Sequence, residues 1–258
     1  MAATTDRALF GTGHRVWTGV KAHTTAFFRT PLYLVLLVVL PAIEIWFAGS
    51  ALESLPAVAF PEMEASLLTT GRLFGAIYAT AVFGGIVGLF QRLSADETDR
   101  RLIIAGSSPG RLFLTRALTV LVVTLGVATV ATGALVWTTA VADPGLTFAV
   151  LGASGILYAF VGLLVGSVVP GELEGSLLLV FLVDVDVIFA SGLLPTDVVV
   201  GELFPLYHPY QVLETAVVVG GLPESGNHLS LAAGYVLLAA AVAVVVYHRS
   251  ASVAGGGD

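Results

Sequence analysis

The chain contains no cysteine. Disulfides, thiol nucleophiles and thiolate metal sites are therefore excluded. Lysine occurs once, at Lys21, and no glycine stands directly before it. A Walker A phosphate loop is thus absent, and the chain has no route of that kind for binding and splitting ATP. Charge is scarce as well. Asp, Glu, Lys and Arg make up 11% of the 258 residues, against about 25% in an average soluble domain. That deficit excludes a water-soluble globule. Hydrophobic residues make up 57% of the chain, with a mean hydropathy of +0.95, which excludes a disordered one. A net charge of −7 and a pI near 5.1 speak against a nucleic-acid partner. His14, His23, His208, His228 and His248 are scattered and show no zinc spacing, so no metal site is expected. Residues 1–31 lack an apolar core segment of the secretory kind, so no cleavable signal peptide is expected.

What remains is apolar sequence in span-sized pieces. A membrane helix needs about 20 apolar residues. Six segments meet that length: 32–52, 73–90, 117–142, 146–169, 176–195 and 229–247. The third and fourth are divided by the turn signal Asp143-Pro144-Gly145. The predicted fold is an all-α integral membrane protein. Residues 1–258 form a single domain of six transmembrane helices in the cell membrane. Orientation follows from the basic residues, which favour the cytoplasmic side. With the N-terminus inside, the inner segments hold Arg7, Arg15, Lys21, Arg29, Arg92, Arg100, Arg101, Arg111, Arg116 and Arg249. The outer segments hold Arg72 alone. An even number of spans then places both termini in the cytoplasm.

Three polar stretches carry further expectations. In 8–29, Phe10, Trp17, Val20, Thr24 and Phe27 fall at helical spacing, with Arg15, Lys21 and Arg29 largely elsewhere on the wheel. This predicts an interfacial helix on the inner membrane face. In the inner loop 91–116, Ser94 and Glu97 have capping-box spacing. Asp96 with Arg100 and Glu97 with Arg101 are acid-before-base pairs one turn apart. Leu102, Ile103 and Ile104 follow, then Gly106 as a stop, and Ser108-Pro109 restarts a helix. A bounded helix over 94–105 is expected, presenting charge and an apolar ridge to a cytoplasmic partner. The outer stretch 196–228 is apolar but broken by Pro205, Pro209 and Pro223. Short re-entrant helices, in the outer leaflet or folded against the bundle, suit it better than a free loop.

Three acids lie inside the predicted spans: Glu44, just after Pro41, and Asp184 and Asp186. Intramembrane acids face a cavity, a partner or a pathway, or else bond neighbouring helices. Residues two apart are about 200° apart around a helix, so Asp184 and Asp186 cannot share one narrow path. Gly152-Ala153-Ser154-Gly155-Ile156-Leu157-Tyr158 resembles the serine-bearing span of rhomboid intramembrane proteases, and His228 opens the last span where that family places its base. The upstream His and Asn of that family have no match in the second span.

A wider resemblance covers about the whole chain. The stretch from Gln91 through Asp96, Glu97, Arg100, Arg101 and Leu102 to Ser107-Ser108-Pro109 and Arg111 is similar to the coupling helix of type-2 ABC transporter permeases. Gly162-Leu163-Leu164-Val165-Gly166-Ser167-Val168-Val169-Pro170 and the acidic link Glu172-Leu173-Glu174 resemble that family's fourth span and second inner loop. Ser191-Gly192-Leu193-Leu194-Pro195 and Phe204-Pro205-Leu206-Tyr207-His208-Pro209 look like its fifth-span exit and outer re-entrant helices. One departure is Asp99-Arg100, where the family often has glycine-threonine. The resemblance implies a permease subunit of an ATP-driven exporter with no catalysis of its own. It implies a second permease subunit, the same or different, and cytoplasmic ATP-binding subunits that hold the ATP. Ser94, Asp96, Glu97, Arg100, Arg101, Leu102, Glu172 and Glu174 would meet those subunits. Glu44, Asp184 and Asp186 would lie on the spans that line the path. A membrane anchor partnered by an ATPase is the non-transporting alternative.

Overall fold

The structure is a computed structural model that describes residues 16–22, 24–25, 29, 31–56, 65–94, 101–102, 104, 106–194, 198–223 and 227–255. All regular structure among them is helical. After a short helical stretch at 16–22, the helices are α1 (Pro31–Glu53), α2 (Leu67–Leu93), α3 (Pro109–Thr138), α4 (Pro144–Val168), α5 (Glu172–Ala190), the single turn α6 (Val198–Gly201), α7 (Tyr207–Val218) and α8 (Asn227–Gly255). By length and composition, α2, α3, α4 and the 227–247 part of α8 suffice to cross a membrane. The chain is thus an all-helical protein of membrane type.

α2 is the centre of the bundle and packs against α1, α3, α4, α5 and α7. Its apolar stretch is 72% buried, whereas that of α8 is only 11% buried. Glycine explains the difference. A methyl group added at Gly84 would overlap the carbonyl oxygen of Gly155, and one at Gly88 would overlap that of Ala159. From the other side, a methyl at Gly162 would strike the Gly85 carbonyl oxygen. The α2 and α4 backbones therefore touch with no side chain between them. Gly71 and Gly75 do the same toward α1, where an added methyl would meet the carbonyls of Ala48 and Glu44. Lipid supplies little hydrophobic drive between helices, so close backbone approach and its dense van der Waals contact must hold them. Around this seam Ile45, Leu73, Ile77, Leu151, Val183 and Leu213 form a continuous buried core.

The turns follow local chemistry. Asp143 caps α4 by accepting the Leu146 amide at 2.9 Å, and Pro144 fills the first turn. The Ala142 and Asp143 amides bond the Val217 and Ala216 carbonyls, so the α3–α4 turn satisfies the end of α7. α7 is 12 residues long, about 18 Å at 1.5 Å per residue, and lies against the bundle instead of crossing it. Gly106 takes φ +89°, and the Ser107 amide closes on the Leu102 carbonyl at 2.9 Å, a helix-ending motif at the expected stop.

Ser94 closes α2: its amide and hydroxyl both donate to the Phe90 carbonyl, at 2.9 and 2.6 Å, and Glu97, the other half of the expected capping box, lies outside the described residues. Two local expectations are revised. Ser108 stands at the N-cap of α3, but its hydroxyl makes no cap bond. In 16–22, Val16 and Val20 are buried, Gly19 meets Thr115 of α3, and Trp17 is 65% exposed. Trp17 and Val20 thus diverge: the small stripe Val16-Gly19-Val20 can approach α3 closely, and the bulky indole cannot. Phe10 and Phe27 lie outside the described residues.

The glycine seam yields a controlled test. Gly84→Val and Gly88→Val are each expected to lower stability by about 1–3 kcal/mol, the usual cost of overpacking. Gly133→Ala, which has open space around it, is expected to be neutral or slightly stabilising. Thermal unfolding of the purified protein in detergent reads all three.

Candidate functional site

The three acids expected inside spans divide into two environments. Glu44 of α1 and Asp184 of α5 are half-buried and close enough to interact electrostatically. Tyr78 of α2 interacts with both carboxylates, and its hydroxyl is oriented to donate to Asp184. The packing explains the gathering. Gly75 lets the α1 backbone in at Glu44, where an added methyl would come within 2.6 Å of the carbonyl oxygen. Tyr78 follows three residues later and stacks on Phe74, with centroids 6.0 Å apart. Two carboxylates and a phenol from three helices thus share one partly open site. Such a site repels anions and attracts a cation or a protonated amine.

Asp186 is a different case. It is 2% exposed. One carboxylate oxygen accepts the Tyr158 hydroxyl of α4 at 2.5 Å, and the other accepts the Leu206 amide at 3.0 Å. Leu206 is the N-cap residue of α7, so Asp186 ties α4, α5 and the start of α7 together. The angular argument from the sequence separated the two aspartates correctly. It did not find Tyr78 or Tyr158, because tyrosine in an apolar run reads as another span residue. The available signal was a phenol that needs a partner wherever it is buried.

At the same end as α6 and the start of α7, His208 and His228 meet with Nδ1 atoms 3.0 Å apart. His208 is 3% exposed and is edge-on to Tyr207, while Tyr235 lies 6.1 Å away. Burial, then the neighbouring His228, hold the His208 imidazole below its ordinary value, against an opposing pull from Glu202. His228 is thus engaged with His208, and Ser154 donates to the Val150 carbonyl of its own helix at 2.9 Å. The two residues of the protease alternative bond elsewhere.

At the opposite end, Arg116 donates to the carbonyl and side-chain oxygens of Gln91, and Arg92 donates to Ser167 at 3.0 Å. These bonds brace α2 against α3 and α4. Arg101, Leu102 and Ile104 are exposed, the last at 78%. Glu172 and Glu174 stand exposed in the first turn of α5, with Leu173 between them 70% exposed. Acids suit a helix N-terminus. Asp96, Glu97 and Arg100 lie outside the described residues. No group of three His, Asp or Glu gathers as a metal site among the described residues. Compared with known proteins, the sequence matches no protein-family model and no curated protein.

Two outcomes check these roles. Asp186→Ala strips a buried amide and a buried phenol of their acceptor and is expected to cost about 1–3 kcal/mol in thermal unfolding, whereas Asp184→Asn costs less than about 1 kcal/mol. The second outcome concerns pH. The unfolded chain takes up a proton that folded His208 resists, so its neutral form contributes stability above the ordinary value of 6.5. That contribution is lost as pH falls below it. Between pH 7.5 and 5.5 the melting temperature of the wild type is therefore expected to fall relative to that of His208→Gln.

Proposed function

We propose that this chain is the permease subunit of an ATP-driven exporter, with six spans (α1 to α5 and α8) and both termini in the cytoplasm. The observation that carries the proposal is the Glu44–Tyr78–Asp184 site, contributed by the first, second and fifth long helices. Those are the spans that line the path in the family the sequence resembles. The site is half-buried in one copy, and α1 and α5 expose Ile43, Phe47, Leu177 and Phe181 beside it in sequence. A second permease subunit on that face would enclose the acids in a shared pathway. Charge placement supports the orientation: Arg92, Arg101, Arg111 and Arg116 cluster at one end of the bundle, and Arg72 is at the other. Exposed Leu102 and Ile104 beside Arg101, and exposed Leu173 between Glu172 and Glu174, offer apolar and charged surface for an ATP-binding subunit. Closure of that subunit around ATP would push on rigid helix ends, and the packed α2–α4 pair would carry the motion inward. An acidic pathway favours a cationic or amphiphilic cargo.

Two experiments test the reading. The tagged chain is expected to co-purify from its native membrane with an ABC ATP-binding subunit, and the double variant Arg100→Glu, Arg101→Glu is expected to lose it. Absence of any ATPase from a preparation that retains other complexes contradicts the reading. Glu44→Gln and Asp184→Asn are expected to lower efflux at least tenfold at unchanged expression. Unaltered efflux in both variants would favour the membrane-anchor alternative.

A further inference from the structure

Among the described residues, Arg72 is the one arginine or lysine at the α1–α2 end of the bundle, and it does not stand in open water. Arg72 lies in a cleft of about 350 Å³ between α2, the end of α3 and the end of α7, lined also by Thr69, Thr138, Thr139 and Val217. Its stem crosses Gly49 of α1, where an added methyl would come within 2.8 Å of Cγ. Nη1 donates to the Thr138 carbonyl and to Thr139 Oγ1, the latter at 3.2 Å. Nε is buried and has no hydrogen-bond partner. Arg72 as a whole is only partly buried, and Nη1 is the one nitrogen of its guanidinium with hydrogen-bond partners, so a cation facing a cleft in an apolar protein remains open to an anion. The depth of the cleft says which kind. Trp137, adjacent to Thr138, is 90% exposed, and Trp46, one turn before Gly49, is 63% exposed. Exposed tryptophans mark the headgroup level of a bilayer, where the anionic groups at hand are lipid phosphates.

We infer that the Arg72 cleft is a binding site for the phosphate of an anionic phospholipid. The guanidinium matches the phosphate geometrically with paired donors. The Thr139 hydroxyl, which accepts from Nη1, has its own proton to donate, and the exposed Trp46 and Trp137 set the site at headgroup depth. The site is independent of the acidic pathway, and its lipid would fasten α2, α3 and α7 at that end of the bundle.

Native mass spectrometry of the detergent-purified full chain, titrated with phosphatidylglycerol or phosphatidylcholine, tests this. The expected result is one tightly held phosphatidylglycerol, preferred at least fivefold over phosphatidylcholine, that is lost in Arg72→Gln and kept in Arg249→Gln. Thr139→Val, which spares the Thr138 contact, is expected to weaken retention severalfold and serves as the deciding variant should Arg72→Gln fail to fold. Inorganic phosphate in millimolar amounts is expected not to displace the lipid. Equal phosphatidylglycerol retention by wild type and Thr139→Val or Arg72→Gln overturns the site. Displacement by inorganic phosphate overturns the lipid assignment in favour of a free anion.

Discussion

The direct contact between the α2 and α4 backbones is the constraint on which the other helices depend. At Gly84, Gly88 and Gly162 no side chain separates the two helices, so their backbones approach directly at these points. α2 then becomes the buried axis, and it presents different faces to α1, α3 and α5. Gly71 and Gly75 repeat the device on the α1 face and set the depth at which Glu44 stands. Tyr78 and Asp184 reach the same place because α2 also carries α5. The acidic site is a consequence of glycine placement as much as of the acids themselves.

Scarce charge in such a chain has to be used or satisfied. Asp186 is satisfied completely by a phenol and a helix N-terminal amide. It acts as a structural pin, which is why its neighbour two residues away is free to face a different environment. Glu44 and Asp184 interact with each other without such closure, and that difference separates candidate chemistry from architecture. At the other end of the molecule Arg116 and Arg92 bond Gln91 and Ser167 and tie helix ends together.

Much of the architecture was legible in the sequence. Apolar run length located the long helices, Asp143-Pro144 marked the α3–α4 turn, and Gly106 marked a helix stop. The spacing of Asp184 and Asp186 foretold their separation. What escaped was set by tertiary packing. Ser94 reads in the sequence as a helix start, yet its hydroxyl also donates to the Phe90 carbonyl left over at the end of α2, a role that no spacing announces. The partners of the acids, Tyr78 and Tyr158, come from other helices, and no periodicity within one helix announces them. The α7 segment was recognisable as too short to span, yet its lodging against α4 and α8 depends on residues far apart in the chain.

The central claim is that Glu44 and Asp184 line an aqueous pathway while the α2–α4–α5 core stays dry. The absence of cysteine makes it directly measurable, since any introduced thiol is the only one. Single variants Glu44→Cys, Asp184→Cys and Leu179→Cys, the last at a fully buried position of α5, can be exposed in native membranes to a membrane-impermeant thiol reagent. The account predicts rapid labelling at 44 and 184 and none at 179. Unreactive thiols at both 44 and 184, or labelling at 179 as fast as at either, would contradict it.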